Sequence, residues 1–119
     1  MFDPAGIIFL YSRSVPTLQK FYTQRLGFRL WLDQGSCRIL RRNNLLLGFC
    51  DGDRSEFPGI ITLFYPEKAA VDKAYEQYRD IATGPPVENK KFDIYQFFAK
   101  DPEDRTLEFQ WFRHPIEWP

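Results

Sequence analysis

Several features that would point to a common class of function are missing from this sequence. It has one histidine, His114, and two cysteines, Cys37 and Cys50, which form no CxxC motif. Sixteen basic and sixteen acidic side chains give a formal net charge of zero, so we predict no basic surface for nucleic acid or an anionic membrane. No apolar run approaches the roughly 20 residues that a membrane helix needs. The expected partners therefore include neither nucleic acid nor a membrane.

Motifs of common catalytic sites are also missing. The sequence has no glycine-rich phosphate loop, no G-x-S-x-G and no Ser/His/Asp order. His114 lies in the proline-rich segment Arg113–Pro119, where we expect a surface residue rather than a general base. Glu103-Asp104 is expected to be a solvated turn pair rather than a catalytic dyad. We predict no catalytic residue from these patterns.

The start of the chain and the cysteines bear on the cellular compartment. Met1-Phe2-Asp3-Pro4-Ala5-Gly6 has neither the basic start nor the apolar stretch of a signal peptide. Cysteine motifs of secreted scaffolds are missing as well. A reducing, cytoplasmic setting is therefore the expectation.

A repeated order of elements is what the sequence does contain. A strand at Gly6–Tyr11 is followed by a helix from Pro16 to about Leu26, with Ser14 as its N-cap. The remaining elements are strands near 28–32, 36–40 and 45–49, a turn-rich linker at 51–58, a strand at 59–64, a helix at 67–80, and strands near 92–100 and 105–112. Gly6-Ile7-Ile8 recurs as Gly59-Ile60-Ile61, an offset of 53 residues (59 − 6). We predict an α+β fold of two βαβββ modules, 1–52 and 53–119, with coincidence among short apolar runs as the alternative.

The pair Asn43-Asn44 predicts a two-residue hairpin with a type I′ turn. That register places Cys37 opposite Cys50, and side chains then divide by parity between two faces. One face would carry Arg38, Leu40, Arg42, Leu45, Leu47 and Phe49, and the other, expected under the helices, Cys37, Ile39, Leu46, Gly48 and Cys50. We expect the two cysteines to be packed, reduced thiols rather than a redox pair.

Strands in both halves are apolar on both faces, as in Ile7–Leu10 and Ile60–Phe64. Such strands are typical of sheets that are covered on both sides. Helices cover one side. The other side must be covered by the opposite half, a partner subunit or a ligand.

Two segments resemble the vicinal oxygen chelate superfamily, which includes glyoxalases, bleomycin resistance proteins and extradiol dioxygenases. The segment Ser14–Phe28 is similar to its "S…FY…LGF" signature, and Asp101–Phe109 to its closing "DPDGxxxEF" segment, with Asp104 where the family prefers glycine. With the repeat, the resemblance spans nearly the whole chain. It implies that the two modules form a curved mixed sheet with a concave groove.

The resemblance also implies four metal-ligand positions. They fall near Ile7, Leu47 and Ile60, and at Glu108. Only Glu108 has a donor atom for a divalent ion. We therefore predict no metal, no cofactor and no metal-dependent chemistry of the family.

The resemblance further implies that the former ligand positions and their period-2 neighbours line a ligand groove. The predicted binding residues are Ile7, Phe9, Arg38, Leu47, Phe49, Ile60, Thr62, Phe64, Glu108 and Gln110, with Tyr11, Leu45 and Thr106 on the same face. This composition is typical of a small-molecule site. Glu108 would be the counter-charge of a cationic ligand or the salt-bridge partner of Arg38.

Metal-free bleomycin resistance proteins are the family precedent, and they sequester a drug in grooves at a dimer interface. The prediction is a homodimeric binding protein for a drug or an aromatic or cationic metabolite, with antibiotic resistance as one outcome. The alternatives are a lyase- or dioxygenase-like enzyme with a displaced metal site, and a partner-binding module. In the latter the groove would be filled by its own side chains.

Overall fold

The computed structural model describes residues 5–119, so the prediction for the leader region at Met1–Pro4 lies outside the described residues. The elements, in chain order, are β1 (Ile8–Ser12), α1 (Val15–Gln24), β2 (Arg29–Asp33), β3 (Cys37–Arg42), β4 (Leu45–Asp51), β5 (Ile60–Phe64), α2 (Lys68–Tyr78), β6 (Val87–Asn89), β7 (Ile94–Lys100) and β8 (Thr106–Phe112). The order strand, helix, three strands occurs twice. The predicted α+β class with two βαβββ modules is confirmed.

The chain divides into two compact units between Phe57 and Pro58, inside the linker. In the first unit the strand order is β1-β4-β3-β2, and in the second it is β5-β8-β7-β6. The first strand of each unit runs parallel to the last one, and the other pairs are antiparallel. The two sheets therefore have the same topology.

Helix α1 begins directly after Ser14, as predicted, and ends at Gln24, two residues (26 − 24) before the predicted end near Leu26. Ser14 is the N-cap residue and proline lies in the first turn, where its missing N–H costs nothing. The Ser14 hydroxyl donates to the Thr17 hydroxyl at 2.7 Å, and its oxygen does not accept a capping hydrogen bond from a backbone N–H of the first turn. Gly27 takes φ +72° just beyond the helix end, a conformation that glycine adopts at no steric cost.

The core of the first unit lies between α1 and one face of its sheet. Leu18 and Tyr22 of α1 are fully buried. The Tyr22 ring contacts those of Phe28 and Phe49, at centroid distances of 5.4 and 5.1 Å. Leu40 and Leu47 are cross-strand partners buried on the same face. Aromatic edge contacts and aliphatic burial together stabilise this layer.

The predicted hairpin register is confirmed, but the predicted faces are exchanged. Arg42 pairs with Leu45, and Asn43 takes the positive φ that the turn needs, at +51°. The face that carries Leu47 and Phe49 packs against α1, because Phe49 contacts Tyr22. The opposite face carries Cys37, Ile39, Leu46, Gly48 and Cys50.

The cysteines are joined, which corrects the expectation of two reduced thiols. Cys37 and Cys50 are directly opposed in the hairpin, with Cα atoms 4.0 Å apart, and form a disulfide. The register places both sulfur atoms on one face of the ladder. Two cysteines this close together can form an intramolecular disulfide.

The second unit is built in the same way. Tyr78 of α2 stacks on Phe109 at 5.0 Å, and Tyr75 meets the edge of Phe97 at 5.4 Å. Phe97 and Phe109 also stack on each other at 4.8 Å, across β7 and β8. These aromatic contacts form the core between α2 and the sheet.

The turn between β7 and β8 holds a buried charge cluster. Arg105 is fully buried, with Nη1 3.4 Å from an oxygen of Asp101 and 3.2 Å from one of Glu103. Asp101 Oδ1 also accepts from the backbone N–H groups of Glu103 and Arg105. Asp104 takes φ +70°, a left-handed conformation that glycine adopts without steric cost. The turn therefore keeps a backbone conformation that suits glycine, although the residue is aspartate.

Strand β6 was not predicted. Val87-Glu88-Asn89 follows Pro85-Pro86 and offers one apolar side chain, too little for a period-2 pattern. Backbone pairing with β7 defines the strand instead. Among the described helices, neither is long and apolar enough to cross a membrane.

Candidate functional site

The face of the second sheet opposite α2 carries the candidate site, and we call it the open face. Because Leu107 and Phe109 lie on the α2 side, alternation puts Glu108 and Gln110 on the open face. The register then adds cross-strand neighbours on β5 and β7. The open face consists of Ile60, Thr62, Phe64, Ile94, Gln96, Phe98, Lys100, Thr106, Glu108, Gln110 and Phe112, and Lys100 Nζ donates to Thr106 Oγ1 at 3.0 Å.

Glu108 lies at the centre of a hydrogen-bonded group on this face. Thr62 Oγ1 donates to Glu108 Oε1 at 2.8 Å. With its amide in the orientation that satisfies both groups, Gln110 Nε2 donates to the two oxygens of Glu108 at 3.0 and 3.2 Å. Both carboxyl oxygens of Glu108 act as acceptors in these contacts. Only 9% of Glu108 is exposed.

The donors to Glu108 are neutral. Among the described residues no lysine, arginine or histidine forms an ion pair with it. A desolvated carboxylate without a cationic partner is an unfavourable arrangement, since hydrogen bonds compensate only part of its lost hydration. The expected alternative partner, Arg38, forms its contacts within the first unit, with Asp33 and Gln19.

A pocket of about 390 Å³ opens on this face. It is lined by Ile60, Asn89, Phe92, Ile94, Gln96, Phe98, Glu108, Gln110 and Phe112. Asn89 Nδ2 donates to Gln96 Oε1 at 3.0 Å, so a second polar pair accompanies Glu108. Aromatic rings with a few oriented polar groups are the usual composition of a small-molecule site.

Of the residues predicted for the second unit, Ile60, Glu108 and Gln110 line this pocket. Thr62 supports Glu108 from the neighbouring strand. Phe64 lies beside the pocket and meets the edge of Phe112 at 5.5 Å and that of Trp118 at 5.2 Å. The structure therefore brings these five predicted residues together.

The residues predicted for the first unit lie on opposite faces of its sheet. Ile7 and Phe9 alternate with the buried Leu10, so they lie on the side away from α1. Leu47 and Phe49 are each 1% exposed beneath α1, which corrects their predicted groove position. Arg38 is also on the helix side, where it donates to Gln19 Oε1 at 2.6 Å. A binding role for these residues stays a prediction.

The position equivalent to Glu108 in the first unit is Gly48. Thr62 pairs with Glu108, and Phe9, 53 residues before Thr62 (62 − 9), pairs with Gly48. A Cβ at Gly48 would lie 2.3 Å from Cδ1 of Phe9, so the ring occupies the space of a side chain there. Gly48, and not Leu47, is therefore the residue of the first unit that corresponds to Glu108 in register.

The side chains do not fit a divalent metal of the kind that the fold family binds. Ile7, Gly48 and Ile60 have no donor atoms, and Glu108 alone provides one carboxylate. Within residues 5–119, no group of three or more His, Cys, Asp or Glu side chains could hold a metal ion. Divalent metals need several charged or strongly dipolar donors.

Pocket residues on β6 and β7 and in the loop between them were missed from the sequence: Asn89, Phe92, Ile94, Gln96 and Phe98, together with Phe112 on β8. The sequence of β7 could have indicated two of these residues. Side chains alternate along a strand, and Gln96 and Phe98 pair with Gln110 and Glu108, so they lie on the same face as Glu108. No comparable signal marks Phe92, which lies in the turn before β7.

An ion network lies on the α2 side of β6 and β7. Glu88 accepts from Arg113 and Lys68, and these bonds hold the pKa of Glu88 below its ordinary value. Tyr95 Oη donates to Asp72 at 2.6 Å. This hydrogen bond, with some desolvation, raises the pKa of Tyr95 to about 12. The network supports the sheet from the side opposite the pocket.

Neither a family model nor a curated protein matches the sequence. Solved structures do match the fold. A glyoxalase/bleomycin resistance protein/dioxygenase from Alicyclobacillus acidocaldarius is 19% identical over 94% of this chain and 93% of its own, with a TM-score of 0.76.

Two further structures agree with this match. A glyoxalase/bleomycin resistance protein/dioxygenase family enzyme from Burkholderia phytofirmans PsJN is 19% identical, covers 88% of this chain and 95% of its own, and has a TM-score of 0.75. Lactoylglutathione lyase from Agrobacterium tumefaciens is 16% identical over 88% of this chain and 90% of its own, with a TM-score of 0.72. The fold of this chain is therefore that of the vicinal oxygen chelate superfamily, as its two sequence motifs predicted.

Proposed function

We propose that this chain is a metal-free small-molecule-binding protein of the glyoxalase/bleomycin resistance type. Its ligand would lie on the open face of the second sheet, in the pocket at Glu108. The observation that carries the proposal is the environment of Glu108, a buried carboxylate on a pocket wall that is held by two neutral donors and, within residues 5–119, forms no ion pair.

The proposed ligand class follows from the pocket walls. A positively charged group would supply the charge that Glu108 lacks. Phe92, Phe98 and Phe112 add aromatic faces, and each cation–π contact contributes about 0.5–2 kcal/mol. The proposed ligand is therefore an aromatic or amine-bearing organic cation, either a drug that is sequestered or a metabolite.

The metal-free part of the proposal is supported by the side chains at the four ancestral ligand positions. One carboxylate cannot replace the four donors that the family uses. Elemental analysis after purification without chelators should find no stoichiometric nickel, zinc, iron or manganese. A tightly held metal with Glu108 as a ligand would overturn this part.

Isothermal titration with an aromatic ammonium compound and its uncharged isostere tests the ligand class. The cation should bind more tightly, and Glu108→Gln should reduce that preference by about tenfold. Glu76→Gln is the matched control, since Glu76 is exposed on α2, away from the pocket, and pairs with Arg79. Equal affinity of both compounds for the unchanged protein would contradict the proposal.

We also propose that the protein is a homodimer. Leu30, Trp31 and Leu32 of the edge strand β2 are 40%, 46% and 44% exposed. Exposed apolar side chains on an edge strand favour association. Light scattering at micromolar concentration should give twice the formula mass of 14.2 kDa, and a monomer at that concentration would contradict this part.

A further inference from the structure

The disulfide of the first unit lies outside the core. The core is on the α1 side of the sheet, with Phe49 against Tyr22. Cys37 and Cys50 project from the opposite face, and both are partly exposed. Breaking their bond would therefore leave the α1-facing layer packed.

The two cysteines line an open pocket, which we call the cysteine pocket. Its volume is about 410 Å³, and its walls include Phe9, Tyr11, Ser36, Asp51 and Glu56. Glu56 Oε1 accepts from the backbone N–H of Tyr11 at 2.7 Å, which fixes the linker against β1. A small molecule of a few heavy atoms has room beside the sulfur atoms.

The hairpin keeps the two sulfur atoms together even without the bond. Cross-strand pairs from Arg38–Phe49 to Arg42–Leu45 continue to the turn at Asn43. A reduced pair held in this register re-forms its bond as an intramolecular step, at a high effective concentration. The disulfide is thus suited to repeated opening and closing.

We propose that Cys37–Cys50 is a reversible thiol–disulfide exchange site that favours cationic small thiols. It is separate from the proposed Glu108 site, and neither depends on the other. An incoming thiolate attacks one sulfur, the Cys37–Cys50 bond breaks, and the second cysteine leaves as a thiolate. A second thiolate then attacks the mixed disulfide, which releases the disulfide of the small thiol and leaves two reduced cysteines.

The electrons of this reduction come from the two small thiols, and the cysteine thiolates take protons from water. The reverse sequence, driven by a small disulfide, re-forms the bond. The preference for a cation follows from Asp51, an acidic residue that lines the pocket and is next to Cys50 in sequence. Its field attracts an ammonium group and repels a carboxylate.

The test compares cysteamine with 3-mercaptopropionate on the folded, oxidised protein. Each rate is divided by the rate of the same thiol with an uncharged small disulfide, which removes differences in thiol basicity. At low ionic strength cysteamine should be about five- to tenfold faster, and high salt should reduce the ratio. Asp51→Asn should also reduce it, whereas Asp53→Asn, in the same segment but not on the pocket wall, should not.

Circular dichroism and mass spectrometry complete the test. The reduced protein should keep its spectrum and cooperative unfolding, and treatment with cystamine should return the intramolecular disulfide. A disulfide that reacts only after unfolding would overturn the proposal. So would equal normalised rates for the two thiols, or two cysteines that stay free after oxidation.

Discussion

Thr62 and Glu108 are directly opposed on the parallel strands β5 and β8, and the Thr62 hydroxyl donates to the Glu108 carboxylate at 2.8 Å. The bond orients the carboxylate on the open face of the second sheet. Thr62 therefore positions Glu108, and its own side chain does not line the pocket.

Replacing Thr62 with valine should separate positioning from packing. Valine keeps the shape of threonine but removes the donor, which leaves Glu108 with fewer hydrogen bonds in a buried place. The free energy of unfolding should fall by about 1–3 kcal/mol, and Thr62→Ser should restore most of it. Chemical denaturation of the three proteins measures this, and a valine variant as stable as the unchanged chain would contradict the role of the bond.

Gly48→Ala should strain the first sheet. A Cβ there meets the Phe9 ring at 2.3 and 2.5 Å, too close for a real contact. Because Phe9 is 49% exposed, its ring can move at moderate cost, and we expect a loss of about 1–3 kcal/mol.

A double-mutant cycle with Phe9→Ala checks this cause. In that background Gly48→Ala should cost much less, since the ring is gone. Additive losses would mean that the strain comes from the backbone instead.

Residue 104 should prefer glycine. Asp104 takes φ +70°, which costs little for glycine and more for other residues. Asp104→Gly should leave stability unchanged or raise it by up to about 1 kcal/mol, and Asp104→Ala should lower it by about 1 kcal/mol. Thermal unfolding of the set measures the order, and alanine above glycine would contradict it.

The phenol of Tyr95 should ionise at a higher pH than that of an ordinary tyrosine. Its hydrogen bond to Asp72 raises the pKa of the phenol to about 12, above an ordinary value of about 10. The bonded, neutral form is favoured in the folded state, so this stabilisation is complete below pH ~10 and is lost as the pH rises to about 12. Phenolate absorbance, with Tyr95→Phe subtracted, should show the shift, and Asp72→Asn should remove most of it.

The sequence predicted backbone order better than it predicted side-chain direction. Asn43-Asn44 gave the correct hairpin register because a two-residue loop permits few alternatives. It could not indicate which face lies under α1, since both parity sets contain leucine or isoleucine. Arg38 was assigned to an open groove, but its guanidinium reaches Gln19 at the side of the helix.

Arg42 likewise lies on the helix side of the sheet, although its charge suggested the open side. Its guanidinium donates to the carbonyl of Leu26, near the end of α1. Long basic side chains can cover an apolar layer and still place their charge at its edge, so an arginine in a strand does not identify the outer face. In the second unit, Leu107 and Phe109 flank Glu108 with no competing apolar parity, and there the pattern alone indicates that Glu108 lies on the side away from α2.

The Phe9 ring over Gly48 limits the order in which this chain could acquire a carboxylate at that position. Glutamate at 48 would need the space that the ring occupies, so the exchange is unfavourable while Phe9 is present. A smaller residue at position 9 has to come first, and by itself it gains nothing at position 48. The two positions are therefore coupled, because the effect of a glutamate at position 48 on stability depends on which residue occupies position 9.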